Sequence, residues 1–231
     1  MGLLTLSTMS FADLTADQQY TLKAAGVDNY SLVYENKNVK IVSTPYSFVS
    51  FYGNSTTFSI DRVYQYNTKL KMSKDLISYA MVQDLEPYKN SFINVKAKNE
   101  KLHAYVIFNI ECPYCHKLIA DVQKFLDQGV SLTFVPYVNY RKANENLKVS
   151  YILNQPANKR FALIQQNSAD IPLANAPSMF LPTVDKLMDK YLISSYPIMI
   201  TDDGYATIKG YESFEKSFSM LKGLLHDDKK R

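Results

Sequence analysis

The chain's only two cysteines stand in Ile110-Glu111-Cys112-Pro113-Tyr114-Cys115-His116-Lys117, directly behind the apolar run Tyr105-Val106-Ile107-Phe108. That run has strand length. Behind the pair, Leu118, Ile119, Val122, Phe125 and Leu126 recur at three- and four-residue spacing, which predicts an amphipathic helix. Gly129 stands where a left-handed cap would close it. The local structure expected is therefore strand, sharp turn, cysteine pair, helix.

At a helix start the first cysteine faces unpaired N–H groups and the positive end of the helix dipole, an environment that favours a thiolate. Pro113 suits the first helical position because its missing N–H would have no partner there and its φ is already helical. Cys112 is expected at the exposed helix end, with Cys115 one turn in and nearer the core. A free thiol has a pKa of ~8.5, which such a position can bring to about 3.5–7.5. Cys112 is thus the attacking sulfur and Cys115 the resolving one. Three rival readings compete. An inert structural disulfide at this spacing closes too small a loop to stabilise much. Cys112-Pro113-Tyr114-Cys115-His116 also fits the C-x-x-C-H haem pattern, with one of the eight methionines as a distal ligand. The β-type run before it and the strand-like segments after it weigh against haem. A structural zinc site takes about four ligands, and only the distant His103 and His226 could complete one, so no metal site is expected.

At 231 residues the chain can hold one large domain or two small ones. With 46% hydrophobic and 21% charged residues its composition is that of a globular protein. The net charge of +4 is spread among acids apart from Lys229-Lys230-Arg231, which reads as a solvated surface and not as a nucleic-acid face. No stretch approaches the length of a transmembrane helix. Residues 1–12 are apolar or small, and Ser10-Phe11-Ala12 has the small-x-small form of a signal-peptidase site, though no basic region precedes it. Residues 1–12 are read as the remnant of a signal peptide truncated at its start, in preference to an apolar arm. Export would place the cysteine pair in an oxidising compartment.

Residues 13–25 predict a short helix, with Thr15 and Gln18 spaced as a capping box and Gly26 past its end. Strand-like runs follow at 31–34, 39–43, 48–52 and 58–66, separated by Asn-, Pro- and Gly-bearing turns. About sixty residues bury little core, so this piece is expected to need a partner along an edge strand. Ser73 is expected to cap a helix carrying Leu76, Ile77, Ala80, Met81 and Leu85, ended by Pro87, and 88–101 reads as a join. After the cysteine helix come a strand at 130–137 and helical pieces at 147–153, 158–166 and 184–192, the last capped by Thr183. A hairpin across 196–209, turning at Asp202-Asp203-Gly204, and a helix at 212–225 close the chain. The order βαβ, helices, ββα is that of a thioredoxin fold with a helical insertion. The fold class expected is α+β. The domains expected are 13–70, a linker helix and linker at 71–100, and a catalytic domain at 101–231 with its insert at about 140–192.

The run Cys112-Pro113-Tyr114-Cys115-His116-Lys117-Leu118 resembles the C-x-Y-C-H-K-L run of the DsbC/DsbG family of periplasmic disulfide isomerases. Tyr196-Pro197 falls where thioredoxin-fold proteins carry a cis-proline, and Asp203-Gly204…Lys209-Gly210-Tyr211 is similar to the family's closing hairpin. From Leu14 onward the N-terminal part resembles the family's dimerisation domain more weakly. The family's second, structural cysteine pair is absent, Tyr196 stands where threonine is typical, and Val106 takes the position of the buried acid of reducing thioredoxins.

The resemblance implies a periplasmic homodimer acting on unfolded or misoxidised proteins and recycled by a redox partner. No cofactor is implied beyond the redox-active Cys112–Cys115 disulfide. Pro197, if cis, turns the Tyr196 backbone towards an extended substrate segment. Tyr114 is expected on the exposed lip around the sulfurs, and His116 to add positive charge near Cys112. The reading is a thiol-disulfide isomerase or reductase; the alternatives are a chaperone or assembly factor whose dithiol is secondary, and a thiol oxidase.

Overall fold

The computed structural model describes residues 14–225 except 46, 57, 61–63, 68–71 and 139–143. The expected signal remnant, residues 1–12, lies outside the described residues. The chain divides into two compact units, residues 1–61 and 62–231.

The first unit opens with helix α1 (Ala16–Ala24). Its predicted capping box is formed: Gln18 N–H donates to Thr15 Oγ1 at 3.2 Å and Thr15 N–H donates to Gln18 Oε1 at 3.1 Å. Gln18 is buried because its Nε2 also donates to the Gly53 and Ser55 carbonyls, at 3.1 and 3.0 Å, tying the helix to the sheet. Strands β1 (Ser31–Glu35), β2 (Val39–Ser43), β3 (Phe48–Tyr52) and β4 (Phe58–Ser59) form an antiparallel sheet in that order. Leu14, Leu22, Val42, Val49 and Phe51 make its core. The run expected as one strand over 58–66 is split. Its first residues are β4, whereas β5 (Tyr64–Asn67) belongs to the second unit and pairs there with β6 (Met72–Asp75).

In the second unit, α2 (Leu76–Leu85) begins two residues later than expected. Ser73 lies in β6 and the cap is Asp75, whose Oδ1 accepts from Ile77 and Ser78 N–H at 3.0 and 3.3 Å; a carboxylate meets two orphan donors where a hydroxyl meets one. The stretch 88–101, expected as a join, instead contributes β7 (Ile93–Val95) to the main sheet, with Phe92 and Ile93 buried. Three residues are too few for their alternation to register as a strand.

The remaining elements are β8 (Leu102–Phe108), α3 (Pro113–Ala120), α4 (Val122–Asp127), β9 (Val130–Pro136), α5 (Glu145–Asn154), α6 (Ala157–Ile164), α7 (Leu181–Lys190), β10 (Ile198–Thr201), β11 (Thr207–Lys209) and α8 (Phe214–Leu225). The expected βαβ, helices, ββα order is observed, in an α+β fold. Thr183 lies inside α7 and does not cap it, because Pro182 already suits the first turn. The cysteine helix is two helices. Asp121 leaves helical dihedrals at φ −91°, ψ 2°, and its carboxylate accepts from Tyr211 Oη at 2.6 Å.

The five strands run in the order β11-β10-β8-β9-β7, with β8 parallel to β9 and antiparallel to β10. Every residue of β8 is buried, as a central strand covered on both faces requires. Phe108, Phe125, Phe134, Leu118 and Leu221 share one core, with Phe108 edge-on to Phe134 at 5.6 Å. The register sets the site: Ile107 at the end of β8 pairs with Ile198 at the start of β10. The chain leaving β8 therefore meets the chain entering β10.

Candidate redox site

The turn out of β8 is built by Asn109, whose carbonyl accepts from Cys112 N–H at 3.2 Å and whose Oδ1 accepts from Glu111 N–H at 2.9 Å. This double hold delivers Cys112 to the N-cap of α3 in extended geometry, φ −86° and ψ 118°. Pro113 follows at the first helical position, as expected. Cys115 N–H points back at Cys112 Sγ at 3.4 Å, so the sulfur occupies the place of a capping oxygen. Both cysteines are free thiols.

The two sulfurs differ in access and electrostatics. Cys112 sits at the helix end as expected but is buried to 7% exposure, against 1% for Cys115. Burial pushes the Cys115 thiol well above the usual range, and the Asn109 main-chain N–H, 3.5 Å from its sulfur, opposes that shift. A dithiol of this form has one sulfur at the helix start and one held deeper as the neutral thiol.

Across from the pair lies Tyr196-Pro197, joined by a cis peptide bond. Cys112 Sγ–H donates to the Tyr196 carbonyl at 3.7 Å, so residues 84 positions apart share one contact. The Pro197 carbonyl is taken by Gly210 N–H at 2.8 Å, which anchors this bend to the far end of β11. The Tyr196 ring packs against Tyr137, with centroids 5.7 Å apart. Tyr114 is 55% exposed and lies under the Lys117 ammonium at 5.2 Å. His116 Nε2–H donates to the Ile110 carbonyl at 2.8 Å, fixing the turn.

Cys112, Pro113, Tyr114, Cys115, Tyr196 and Pro197 thus come together, and His116 braces the backbone behind them. Sequence reasoning passed over Asn109 and Glu145. Asn109 carried a signal, being the polar residue that ends an apolar strand just ahead of the motif. Glu145 carried none, since it lies among polar residues at the start of a helix distant in sequence. Among the described residues no group of three or more His, Cys, Asp or Glu side chains could hold a metal ion.

A thioredoxin-like domain family model matches residues 88–224. Over 137 residues the chain is 24% identical to the thiol:disulfide interchange protein DsbC of Haemophilus influenzae; the match spans 59% of this chain and 59% of that protein. Among solved structures, Proteus mirabilis ScsC in a transitional conformation is similar with a TM-score of 0.51 at 17% identity, covering 64% of this chain and 78% of that one. A linker-deletion mutant of ScsC gives 0.50 at 16% identity, covering 64% and 84%. The strand-to-helix placement of the cysteine pair, the cis-proline facing it and the matched span lead to one conclusion: the chain belongs to the thioredoxin-like family.

Proposed function

We propose that this protein is a thiol-disulfide isomerase or reductase acting on misoxidised exported proteins, with Cys112 attacking and Cys115 resolving. The observation that carries this reading is the contact of Cys112 Sγ with the Tyr196 carbonyl beside cis-Pro197. A substrate disulfide brought to Cys112 lies against the Tyr196 backbone, where main-chain hydrogen bonds can hold an extended segment of any sequence. The similarity to DsbC supports the same chemistry.

In the first step Cys112 thiolate attacks one sulfur of the substrate disulfide, forming the mixed disulfide and expelling the other sulfur as a thiolate. Two exits follow. A second substrate thiolate attacks the substrate sulfur and restores free Cys112, which is isomerisation. Alternatively Cys115 attacks Cys112, closing the protein disulfide and releasing substrate as a dithiol, which is reduction. Burial of Cys115 as the neutral thiol favours the first exit, because the mixed disulfide persists until Cys115 is deprotonated. A periplasmic location, a homodimer formed through the N-terminal domain at 13–70 and a redox partner that recycles the pair belong to the same proposal. Among the described residues no helix is long and apolar enough to cross a membrane.

The test is repair of a scrambled-disulfide protein and reduction of insulin. Cys112→Ala should bring both to the uncatalysed rate, while Cys115→Ala should keep part of the repair and accumulate mixed disulfides. Repair that survives in Cys112→Ala would move the function to a chaperone-type grip.

A further inference from the structure

A carboxylate from the helical insertion reaches the loop that carries the cysteines. Glu145, the first residue of α5, is 0% exposed, and its Oε1 accepts from Asn109 Nδ2 at 2.5 Å. The same Nδ2 donates to the Tyr137 carbonyl at 3.0 Å. Asn109 Oδ1 is taken by Glu111 N–H at 2.9 Å, so both ends of the amide are engaged. Its main-chain N–H is left facing Cys115 Sγ at 3.5 Å.

Burying a carboxylate is costly unless hydrogen bonds replace its water, so the Glu145–Asn109 contact is both short and hard to break. An amide held at both ends cannot swing, and its own backbone is held with it. The Asn109 N–H is the donor that favours negative charge on Cys115, whose burial otherwise opposes ionisation. No acid stands on β8 itself, where all seven residues are apolar or neutral apart from His103.

Resting on the redox reading above, we propose that Glu145 is a positioning residue for the second half-reaction. It holds Asn109 so that the Asn109 N–H stabilises the Cys115 thiolate that resolves the mixed disulfide. In that step the Cys115 thiol gives its proton to solvent, its sulfur attacks the Cys112 sulfur, the Cys112–Cys115 bond forms, the bond from Cys112 to the substrate sulfur breaks, and the leaving thiolate takes a proton from solvent. The first attack, made by Cys112, does not use Glu145.

The experiment is stopped-flow reaction of the full-length reduced protein with glutathione disulfide. The first phase reads adduct formation at Cys112 and the second reads release of the second glutathione. Glu145→Leu removes the acceptor and should slow the second phase roughly tenfold, the loss of about one hydrogen bond's worth of orientation, with the first phase within about twofold of wild type. Glu145→Gln keeps an acceptor of the same reach and should restore the second phase to within about threefold. Glu145→Ala removes the same acceptor without placing a bulky side chain in the buried site and should give the same split, which keeps the test available if Glu145→Leu does not fold. Equal slowing of both phases, an unchanged second phase in Glu145→Leu, or Glu145→Gln as slow as Glu145→Leu would each overturn the positioning role. A wild-type protein that forms no Cys112 adduct would overturn it together with the redox reading.

Discussion

His103 is the residue through which pH should act on this fold, at the end of β8 remote from the cysteines. The residue is 6% exposed. Thr133 hydroxyl donates to Asn94 Oδ1 at 2.6 Å, so at 2.8 Å His103 Nε2–H donates to Thr133 Oγ1. Protonation at Nδ1 would bury a donor that meets no partner among the described residues. Burial first, and the Lys89 cation second, push its pKa from the ordinary 6.5 down to about 4. The unfolded chain therefore binds more protons than the folded protein between these values. Stability from this group is full above pH 6.5, falls as the pH drops to about 4, and is level below. The loss is on the order of 3 kcal/mol. Denaturant titrations from pH 7.5 to 4 should show this slope in the wild type and a shallower one in His103→Gln; parallel slopes would refute it. At the same scale Cys112 and Cys115 were legible from spacing alone, whereas the place of His116 was not. An imidazole in a first helical turn can reach a sulfur or a carbonyl, and only the fold of the turn at Ile110 chose the carbonyl.

Two helix-end expectations held and two, Ser73 and Thr183, did not. The Thr15–Gln18 box and the Gly129 stop needed only neighbours in sequence. Gly129 has φ +84°, and a Cβ there would lie 2.7 Å from the Asn99 carbonyl oxygen. Gly129→Ala meets both the left-handed penalty and a backbone contact, and should lower stability by at least about 2 kcal/mol, read as a fall in the urea midpoint. An unchanged midpoint would mean that the 127–130 turn can rebuild. Expectations failed where a distant partner decides. The helix break at Asp121 accompanies a bond to Tyr211, 90 residues away, and β7 is a strand because β9 offers it an edge.

For the whole molecule the open quantity is how many chains act together. The first unit buries a small described core and leaves Tyr20, Tyr52, Phe58 and Ile60 exposed. Apolar surface of this kind, beside sheet edges, fits pairing with a second copy. Light scattering on the full-length protein should return about twice the 26.4 kDa chain mass. A single-chain mass at micromolar concentration would remove the dimer from the proposed function.

What the sequence by itself determined are the features written in short-range order: a buried strand, a cysteine at a helix start with proline behind it, the Thr15–Gln18 box and the Gly129 stop, and hence the α+β order of a thioredoxin fold. Spacing and composition suffice for these because each depends on residues within a turn or a strand of one another. Only the tertiary structure decided which side chains meet. Ile107 opposite Ile198 brings Tyr196 to Cys112, and the insertion brings Glu145 to Asn109. Such contacts depend on register and packing across dozens of residues, and no local pattern in the chain encodes them.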